Sequence, residues 1–326
     1  MTGVEADDAF LARPVASVTG GTGFLGRFIV RALDAAGYRV RLLVRGDPMH
    51  PQFQDLRLEI VPGDLNNPEA LARLAEGVAV LVHGAGLIKA RDRAGFMAVN
   101  RDGSRAVAEA MAGRAPDARL VVVSSMAARE PELSDYAGSK WAGEEAALAA
   151  FGHDRALIVR PPAIYGPWDR ETLAVFKAAQ GPVVPVLGGP GARIALIHAQ
   201  DCAAAIAVLA ARGTPGRVYE LSDQNPGGYA WGELLDAAAA ALGTSPRRVP
   251  VPAAALRLVG AIGGLRARLT GEPVMLNTGK VREMLHLDWS ARPDKLPPPD
   301  LWQPTIGLDN GFRSVAEWYR SAGWLS

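Results

Sequence analysis

Tyr136 and Lys140 begin and end the run Y-A-G-S-K, and this spacing places both side chains on one face of a helix. An isolated phenol has a pKa of about 10 and is a slow acid–base catalyst at neutral pH. A nearby ammonium group stabilises the phenolate and lowers that pKa toward the working range. The pair therefore predicts acid–base chemistry in which Tyr136 transfers a proton.

The position of the pair supports this prediction more than its spacing does, because six tyrosines and five lysines in 326 residues would produce the spacing by chance in about one chain in eleven. The pair follows a predicted strand from Leu120 to Ser124, and that strand ends in two serines, Ser124 and Ser125. A hydroxyl group at this place could polarise a substrate carbonyl. Both serines are candidates for that role.

A second cluster, T19-G-G-T-G-F-L-G26, brings four glycines together near the start of the chain. Its glycines fit two related nucleotide-binding spacings, G-x-G-x-x-G and G-x-x-G-x-x-G. The cluster follows a predicted strand and opens a predicted helix, whose unpaired N–H groups and partial positive charge would hold a phosphate. We interpret it as a dinucleotide site rather than a tight turn alone.

The end of the second predicted strand bears on which dinucleotide binds. An acidic residue there would accept a hydrogen bond from the ribose of NAD, but this chain has Val44 followed by Arg45. Arg45 favours a 2′-phosphate, and hence NADP(H). The alternative is that Arg45 and Arg41 are solvated charges and that Asp47 serves the ribose of NAD(H).

Small or acidic residues follow two further predicted strands. Asp64 and Leu65 come after the third β-prone run, where a carboxylate could meet the adenine amino group. Gly84, Ala85 and Gly86 come after the fourth, where small residues would let a ligand approach the backbone.

The elements that must position these residues alternate between strand and helix, which predicts an α/β fold with a doubly wound parallel sheet of the Rossmann type. Several strands are apolar throughout, as expected for strands covered on both faces. The predicted strands are Val15–Thr19, Val40–Val44, Val78–Val82, Leu120–Ser124 and Ala156–Val159, and the predicted helices are Phe24–Ala36, Phe96–Ala112 and Tyr136–Phe151.

The amino-acid composition changes after Pro167, where proline and glycine clusters become frequent. We predict a dinucleotide-binding domain over residues 1–168 and a smaller, mainly substrate-binding lobe over 169–326. Two β-prone runs, Ile194–His198 and Val218–Leu221, are expected to return to the main sheet with residues 192–224. The arginine-bearing segment from Ala253 to Leu269 could lie on a membrane surface, but a helix that closes the second lobe is the preferred interpretation.

Composition excludes several classes of protein. The net charge is +1 and the 35 basic residues are scattered, so no nucleic-acid or membrane partner is expected. Cys202 is the single cysteine, the N-terminus is acidic, and no apolar run reaches the length of a membrane span. These features predict a cytoplasmic protein that acts on a small molecule. No metal-type histidine or cysteine spacing occurs, and no metal site is expected.

Together these motifs resemble the extended short-chain dehydrogenase/reductase family, also called the NAD-dependent epimerase/dehydratase family. The resemblance covers nearly the whole chain and includes the run R-P-P-A-I-Y-G-P from Arg160 to Pro167, His198 with Asp201, and the closing run from Glu317 to Trp324. It also implies that Asn100 is the family's helix-bend asparagine, with a mostly structural role. It implies that Tyr136 is the general acid/base and that Lys140 binds the nicotinamide ribose and lowers the tyrosine pKa. It favours Ser125 over Ser124 for the reacting oxygen. The cofactor-binding residues that it implies are Gly20, Thr22, Gly23, Phe24, Leu25, Gly26, Arg45, Asp64, Leu65, Gly84, Ala85, Gly86, Lys140, Pro161, Ala163 and Ile164.

Three functions remain open on these grounds: an NADP(H)-dependent oxidoreductase that interconverts a carbonyl and a secondary alcohol, a sugar-nucleotide epimerase or dehydratase with tightly bound NAD(P), and a non-catalytic nucleotide-binding module. We favour the first. In similar sugar-nucleotide epimerases an asparagine often stands where this chain has Ala163, and the run P-V-V-P-V-L from Pro182 to Leu187 suits an apolar pocket. Arg170, Lys177 and Arg193 keep phosphate binding open. The resemblance also implies a homodimer through the two Ala-rich helices.

Overall fold

The computed structural model describes residues 3–189, 191–270 and 276–325. The predicted lobe over 169–326 thus includes a few residues outside the described ones. The helices are α1 (Gly3–Leu11), α2 (Phe24–Ala35), α3 (Pro68–Ala75), α4 (Arg93–Phe96), α5 (Gly103–Arg114), α6 (Asp135–Phe151), α7 (Leu173–Gln180), α8 (Ala199–Arg212), α9 (Trp231–Leu242), α10 (Ala253–Thr270), α11 (Thr278–Leu285) and α12 (Leu308–Ser321). The strands are β1 (Val15–Thr19), β2 (Arg39–Val44), β3 (Leu58–Pro62), β4 (Val80–His83), β5 (Arg119–Val123), β6 (Ala156–Arg160), β7 (Ala163–Tyr165), β8 (Val183–Val186), β9 (Arg193–Ile194), β10 (Leu196–His198), β11 (Val218–Glu220), β12 (Arg247–Pro250) and β13 (Asp288–Trp289).

Seven strands form one parallel sheet in the order β11-β6-β5-β4-β1-β2-β3. Helices cover both faces, so the predicted doubly wound α/β fold is confirmed. The chain reverses its direction of travel across the sheet between β1 and β4, and a crevice opens there at the carboxyl ends of the strands. The glycine cluster lies at this point because it directly follows β1.

Alternation of side chains along the strands builds two separate cores. Val18 and Val82 point to the core beneath α2 and α8, whereas Leu81 and Val122 point to the core beneath α3, α5 and α6. A strand buried on both faces cannot slip by one residue without exchanging these two sets of side chains. The register therefore fixes which residues stand at the carboxyl edge of the sheet.

The predicted helix from Phe96 to Ala112 is interrupted. A π-helical turn, Met97–Asp102, separates α4 from α5 and contains the buried Asn100. The Asn100 side chain accepts a hydrogen bond from the backbone nitrogen of Leu87 and donates one to its oxygen, at 2.7 and 3.0 Å. The bend thus fastens the helix to the loop after β4.

The second lobe contains α7, α9 to α12 and the two-stranded parallel sheets β12-β8 and β13-β9, and a third such sheet pairs β10 with β7, which precedes residue 169. Of the two runs expected to rejoin the main sheet, Val218–Glu220 does so beside β6. The run from Ile194 to His198 does not, because it changes partner at Ala195: β9 pairs with β13, and β10 pairs with β7. The Ala195 nitrogen donates to the Trp289 oxygen at this junction.

The segment with three interleaved arginines forms α10, which packs against α11 in the second lobe. The side chain of Arg268 lies outside the described part of the structure. Among the described residues, no helix combines the length and the apolar character needed to cross a bilayer.

Candidate active site

The glycine cluster forms a turn that has no room for side chains. Gly20 has a φ of +72°, and a Cβ there would lie 2.6 Å from the backbone nitrogen of Ala85. A Cβ at Gly26 would lie 2.0 Å from the Gly20 oxygen. Only glycine fits at these two positions, and the turn packs directly against the loop after β4.

This turn delivers the N-terminus of α2 to the crevice. Gly23 is the N-cap and contributes no side-chain hydrogen bond, so the first backbone N–H groups of the helix keep no side-chain partner. Thr22 and Gly23 are exposed, whereas Phe24 and Leu25 are partly buried. Free N–H groups and the helix dipole at an open turn fit the diphosphate of a dinucleotide.

Arg45 follows β2 at the same edge of the sheet. Its side chain is exposed and makes no hydrogen bond or ion pair with any described residue. Arg41 differs, because its guanidinium donates to Glu59 at 2.9 Å and is not a freely solvated charge. Asp47 accepts a hydrogen bond from the Met49 nitrogen at 2.9 Å, which turns its carboxylate into its own loop.

Two further predicted contacts lie on the loops after β3 and β4. The Asp64 carboxylate accepts a hydrogen bond from the Asn66 nitrogen at 2.8 Å, and Leu65 packs against Gly103 of α5. Gly84 and Ala85 face the glycine turn, and the Ala85 nitrogen donates to the Thr19 hydroxyl at 3.2 Å.

His83, at the end of β4, holds this loop in place. Its Nδ1 lies 2.7 Å from the Thr19 hydroxyl and its Nε2 lies 3.0 Å from the Ser104 hydroxyl. Burial, followed by the nearby charge of Lys140, lowers the pKa of His83 to about 3. The imidazole is therefore neutral and structural at physiological pH.

Tyr136 and Ser125 both line one large cavity between the two lobes. Burial raises the pKa of the Tyr136 phenol to about 12, and a hydrogen bond with Ser125 opposes that rise only in part. The direction is opposite to the lowering that the resemblance implies for Tyr136. A raised pKa keeps the phenol protonated at neutral pH, which is the form that can donate a proton.

Lys140 lies one turn further along α6. Its Nζ donates to the Val123 oxygen at 2.9 Å, and a Cβ at Gly86 would lie 3.7 Å from the same nitrogen. Burial lowers the pKa of Lys140 to about 8, while Glu144 acts in the opposite direction. The ammonium thus stands where the loop after β4, the end of β5 and α6 meet.

The two serines after β5 occupy different surroundings. Ser125 is the N-cap of the short helical turn Met126–Arg129 and opens onto the cavity. Ser124 is buried, and its hydroxyl has no hydrogen-bond partner among the described residues. Pro161 is buried behind them, while Ala163 and Ile164 line the cavity from β7.

The cavity has a volume of about 840 Å³ and a mostly apolar wall. Four cations stand in the described lining. Lys89 pairs with Glu171 at 2.7 Å, Lys280 with Glu283 at 3.1 Å and Arg91 with Asp92 at 3.6 Å. The exposed Arg282 has no ion-pair partner among the described residues. The apolar lining residues include Ile88, Phe96, Met126, Ile164, Val175, Leu196, Leu234 and Phe312.

Two groups at the site were not predicted from the sequence. Arg27, in the first turns of α2, donates to the Thr22 oxygen at 2.7 Å and has no acidic partner among the described residues. Its place directly after Gly26 is the signal that could have identified it. Glu283 accepts a hydrogen bond from the Ser134 hydroxyl inside the cavity. No sequence signal marks Glu283, because its helix is far from Ser134 along the chain.

Comparison with protein families gives one match over most of the chain. The profile of the NAD dependent epimerase/dehydratase family matches residues 16–222. This range contains the glycine turn, the loops after β2 to β5 and the catalytic candidates.

Two curated proteins show which activities occur among similar sequences. The chain is 50% identical to the ceramide reductase of Caulobacter vibrioides, over 96% of this chain and 97% of that protein. It is 31% identical to the 4-hydroxy-2-methyl-3-oxo-4-farnesyl-3,4-dihydroquinoline-1-oxide ketoreductase of Stigmatella aurantiaca, over 64% of this chain and 68% of that protein.

Among solved structures, the dTDP-glucose 4,6-dehydratase DesIV from Streptomyces venezuelae, with NAD and TYD bound, has the same fold. The TM-score is 0.71 at 24% identity, with 95% of this chain and 98% of that chain covered.

Proposed function

Because the chain belongs to the NAD-dependent epimerase/dehydratase family, we propose that it reduces a ketone on an apolar, lipid-like molecule, with NADPH as the hydride donor. It is an NAD(P)-dependent oxidoreductase of the extended short-chain dehydrogenase/reductase type.

The observation that carries the proposal is the opening of Tyr136 and Ser125 onto a mostly apolar cavity whose lysines are paired with glutamates. A nucleotide diphosphate needs unpaired cations near it. Arg170, Lys177 and Arg193 do not line the cavity. Arg170 stacks on Trp324 and Arg193 pairs with Glu233, at 4.9 and 3.0 Å. Arg282 is thus the single lining cation without an ion-pair partner among the described residues, and the mostly apolar wall suits an uncharged substrate better than a sugar nucleotide.

The similarity to a ceramide reductase narrows the substrate class. We propose a ketone-bearing ceramide or a closely similar acylated lipid. The cavity lies within the usual range for small-molecule pockets, about 300–1,000 Å³, and its aliphatic and aromatic lining suits an alkyl chain. Glu283 and Lys280 stand in this lining and would hydrogen-bond the polar groups of such a lipid.

Reduction of the ketone needs a hydride at carbon and a proton at oxygen. The bound nicotinamide supplies the hydride. Ser125 would donate a hydrogen bond to the carbonyl oxygen and hold it beside the Tyr136 hydroxyl, which then transfers its proton to that oxygen. The Lys140 ammonium, held at the Val123 oxygen, would bind the nicotinamide ribose and stabilise the phenolate left behind.

The residues of the crevice fit NADP(H). Arg45 has no ion-pair partner among the described residues, so an adenosine 2′-phosphate would find an available cation there, while Asp47 accepts a hydrogen bond within its own loop. Arg27 adds a second cation beside the glycine turn. NAD(H) remains the alternative cofactor. The cytoplasmic location likewise stays a prediction.

A paired thermal-shift experiment tests the proposal. In the presence of NADPH, a ketone-bearing ceramide in detergent micelles is compared with a UDP-sugar and with empty micelles. Selective binding to the native state raises its apparent stability. The proposal predicts that the Tm rises with the ketone-bearing ceramide and does not rise with the UDP-sugar or with empty micelles. A rise with micromolar UDP-sugar and none with the lipid would instead support the epimerase alternative.

A further inference from the structure

Helix α10 packs against the rest of the lobe through one face only. Leu256 on this face is buried, and a Cβ at Gly260 would lie 2.7 Å from the Val281 side chain of α11. Gly264 and Ala267, further along the same face, line the substrate cavity. The helix therefore forms part of the cavity wall.

The opposite face of α10 carries a continuous apolar stripe. Leu258, Ile262, Leu265 and Leu269 follow one another at helical spacings of four, three and four residues, and their side chains are 63%, 60%, 58% and 78% exposed. With Val259, α10 holds five of the fourteen large apolar side chains that are exposed in the described part of the chain. Such a concentration marks an interaction surface rather than scattered surface residues.

Positive charge borders the stripe. A helix advances about 100° per residue, so Arg257 and Arg266 lie on opposite sides of the apolar stripe. Both side chains are exposed, and neither forms an ion pair with a described residue. Between Asp236 and Glu272 the sequence contains five arginines and no acidic residue.

We propose that α10 lies in the headgroup region of an anionic phospholipid membrane, with the apolar stripe inserted and the arginines at the lipid phosphates. Apolar side chains flanked by long cationic ones are the features of helices that lie in a membrane interface. Anionic lipids attract each such arginine. A second copy of this chain fits the surface less well, because packing α10 against itself would bring the arginines of both copies together.

A helix that only closed the second lobe would need the apolar inner face of α10. It would not need the exposed apolar stripe on the opposite face. Because the inner face lines the cavity, α10 would stand between the membrane and the catalytic residues. A lipid substrate could then pass from the membrane into the cavity without crossing water. This last step depends on the proposed function, whereas membrane docking does not.

Vesicle flotation tests the docking directly and needs no enzyme activity. The full-length protein is mixed with vesicles of phosphatidylcholine alone or with added phosphatidylglycerol. We expect the protein to float with the anionic vesicles, and we expect binding to weaken as salt rises, because the Debye length shortens. The variant Ile262→Gln/Leu265→Gln should lower the partition coefficient by at least about tenfold, since two inserted side chains become polar.

The matched control is Ile60→Gln, which changes an exposed apolar side chain on edge strand β3 and should bind as the wild type does. Thermal melts of each variant show whether the fold is retained. A second variant, Arg257→Gln/Arg266→Gln, should lose the preference for anionic vesicles. Wild-type protein that stays in the aqueous fraction with both vesicles overturns the proposal. A dimer that the stripe variant abolishes, without vesicle binding, also overturns it and assigns the stripe to a second copy.

Discussion

The Nζ atom of Lys140 donates a 2.9 Å hydrogen bond to the backbone oxygen of Val123, at the carboxyl end of β5. This bond ties helix α6, which carries Tyr136, to the strand that ends two residues before Ser125. The catalytic candidates are thereby held on a helix and a strand end, rather than on a long loop.

The first prediction concerns pH. The free enzyme has a Lys140 pKa of about 8, lowered by burial, so the ammonium is present below that pH and is lost above it. We expect kcat/KM for NADPH to fall by about tenfold per pH unit above this value. Lys140→Arg should have lower activity but no fall in this range, because its side chain stays charged. A wild-type profile that stays flat through the range contradicts the role of Lys140.

The second prediction concerns proton transfer. Tyr136→Phe keeps the ring and removes the donor, so turnover should fall by about 10²–10⁴-fold while NADPH affinity changes little. Ser125→Ala should lower turnover by removing a donor to the reacting oxygen, whereas Ser124→Ala should affect it much less. Tyr38→Phe, which removes a hydroxyl outside the cavity, is the control for steady-state kinetics. Near-normal turnover of Tyr136→Phe would mean that another group donates the proton.

The third prediction concerns cofactor choice. Arg45→Ala should weaken NADPH binding by about tenfold to a hundredfold and leave NADH binding nearly unchanged, because a charge-assisted contact to the 2′-phosphate is lost. Fluorescence titration of both cofactors measures this. Arg313→Ala removes an exposed arginine of α12 and serves as the control. Equal wild-type affinities for NADPH and NADH would rule out the assignment.

The fourth prediction concerns assembly. Trp141 on α6 is 45% exposed, so it is not a core residue, and the α5–α6 face would cover it in a homodimer. We expect a dimer mass in light scattering at micromolar concentration and a monomer mass for Trp141→Glu. Leu11→Glu, on α1, should leave the mass unchanged. A monomeric wild type would refute this prediction.

The parts of the fold that follow from local rules could be predicted. The apolar strands that alternate with helices predicted the parallel sheet. The glycine spacing predicted a turn without room for side chains, as found at Gly20 and Gly26. Contacts between distant residues could not be predicted. The change of strand partner at Ala195 depends on Trp289. The bend at Asn100 was implied by the family resemblance, but its contact with Leu87 was not.

The environments of individual side chains also could not be predicted from the sequence. The spacing of Tyr136 and Lys140 predicts a lowered tyrosine pKa, but burial raises it instead. Arg41 was open to interpretation as a solvated charge, yet it pairs with Glu59 on the neighbouring strand. Such effects depend on burial and partners that only the folded chain defines.

The most direct test of the central claim is the consumption of NADPH by the purified protein with a ketone-bearing ceramide, followed by identification of the product. The account predicts stoichiometric formation of the corresponding alcohol lipid and oxidised cofactor, with Tyr136→Phe nearly inactive. Conversion of a UDP- or dTDP-sugar without net consumption of cofactor, together with no reaction of any lipid ketone, would contradict it.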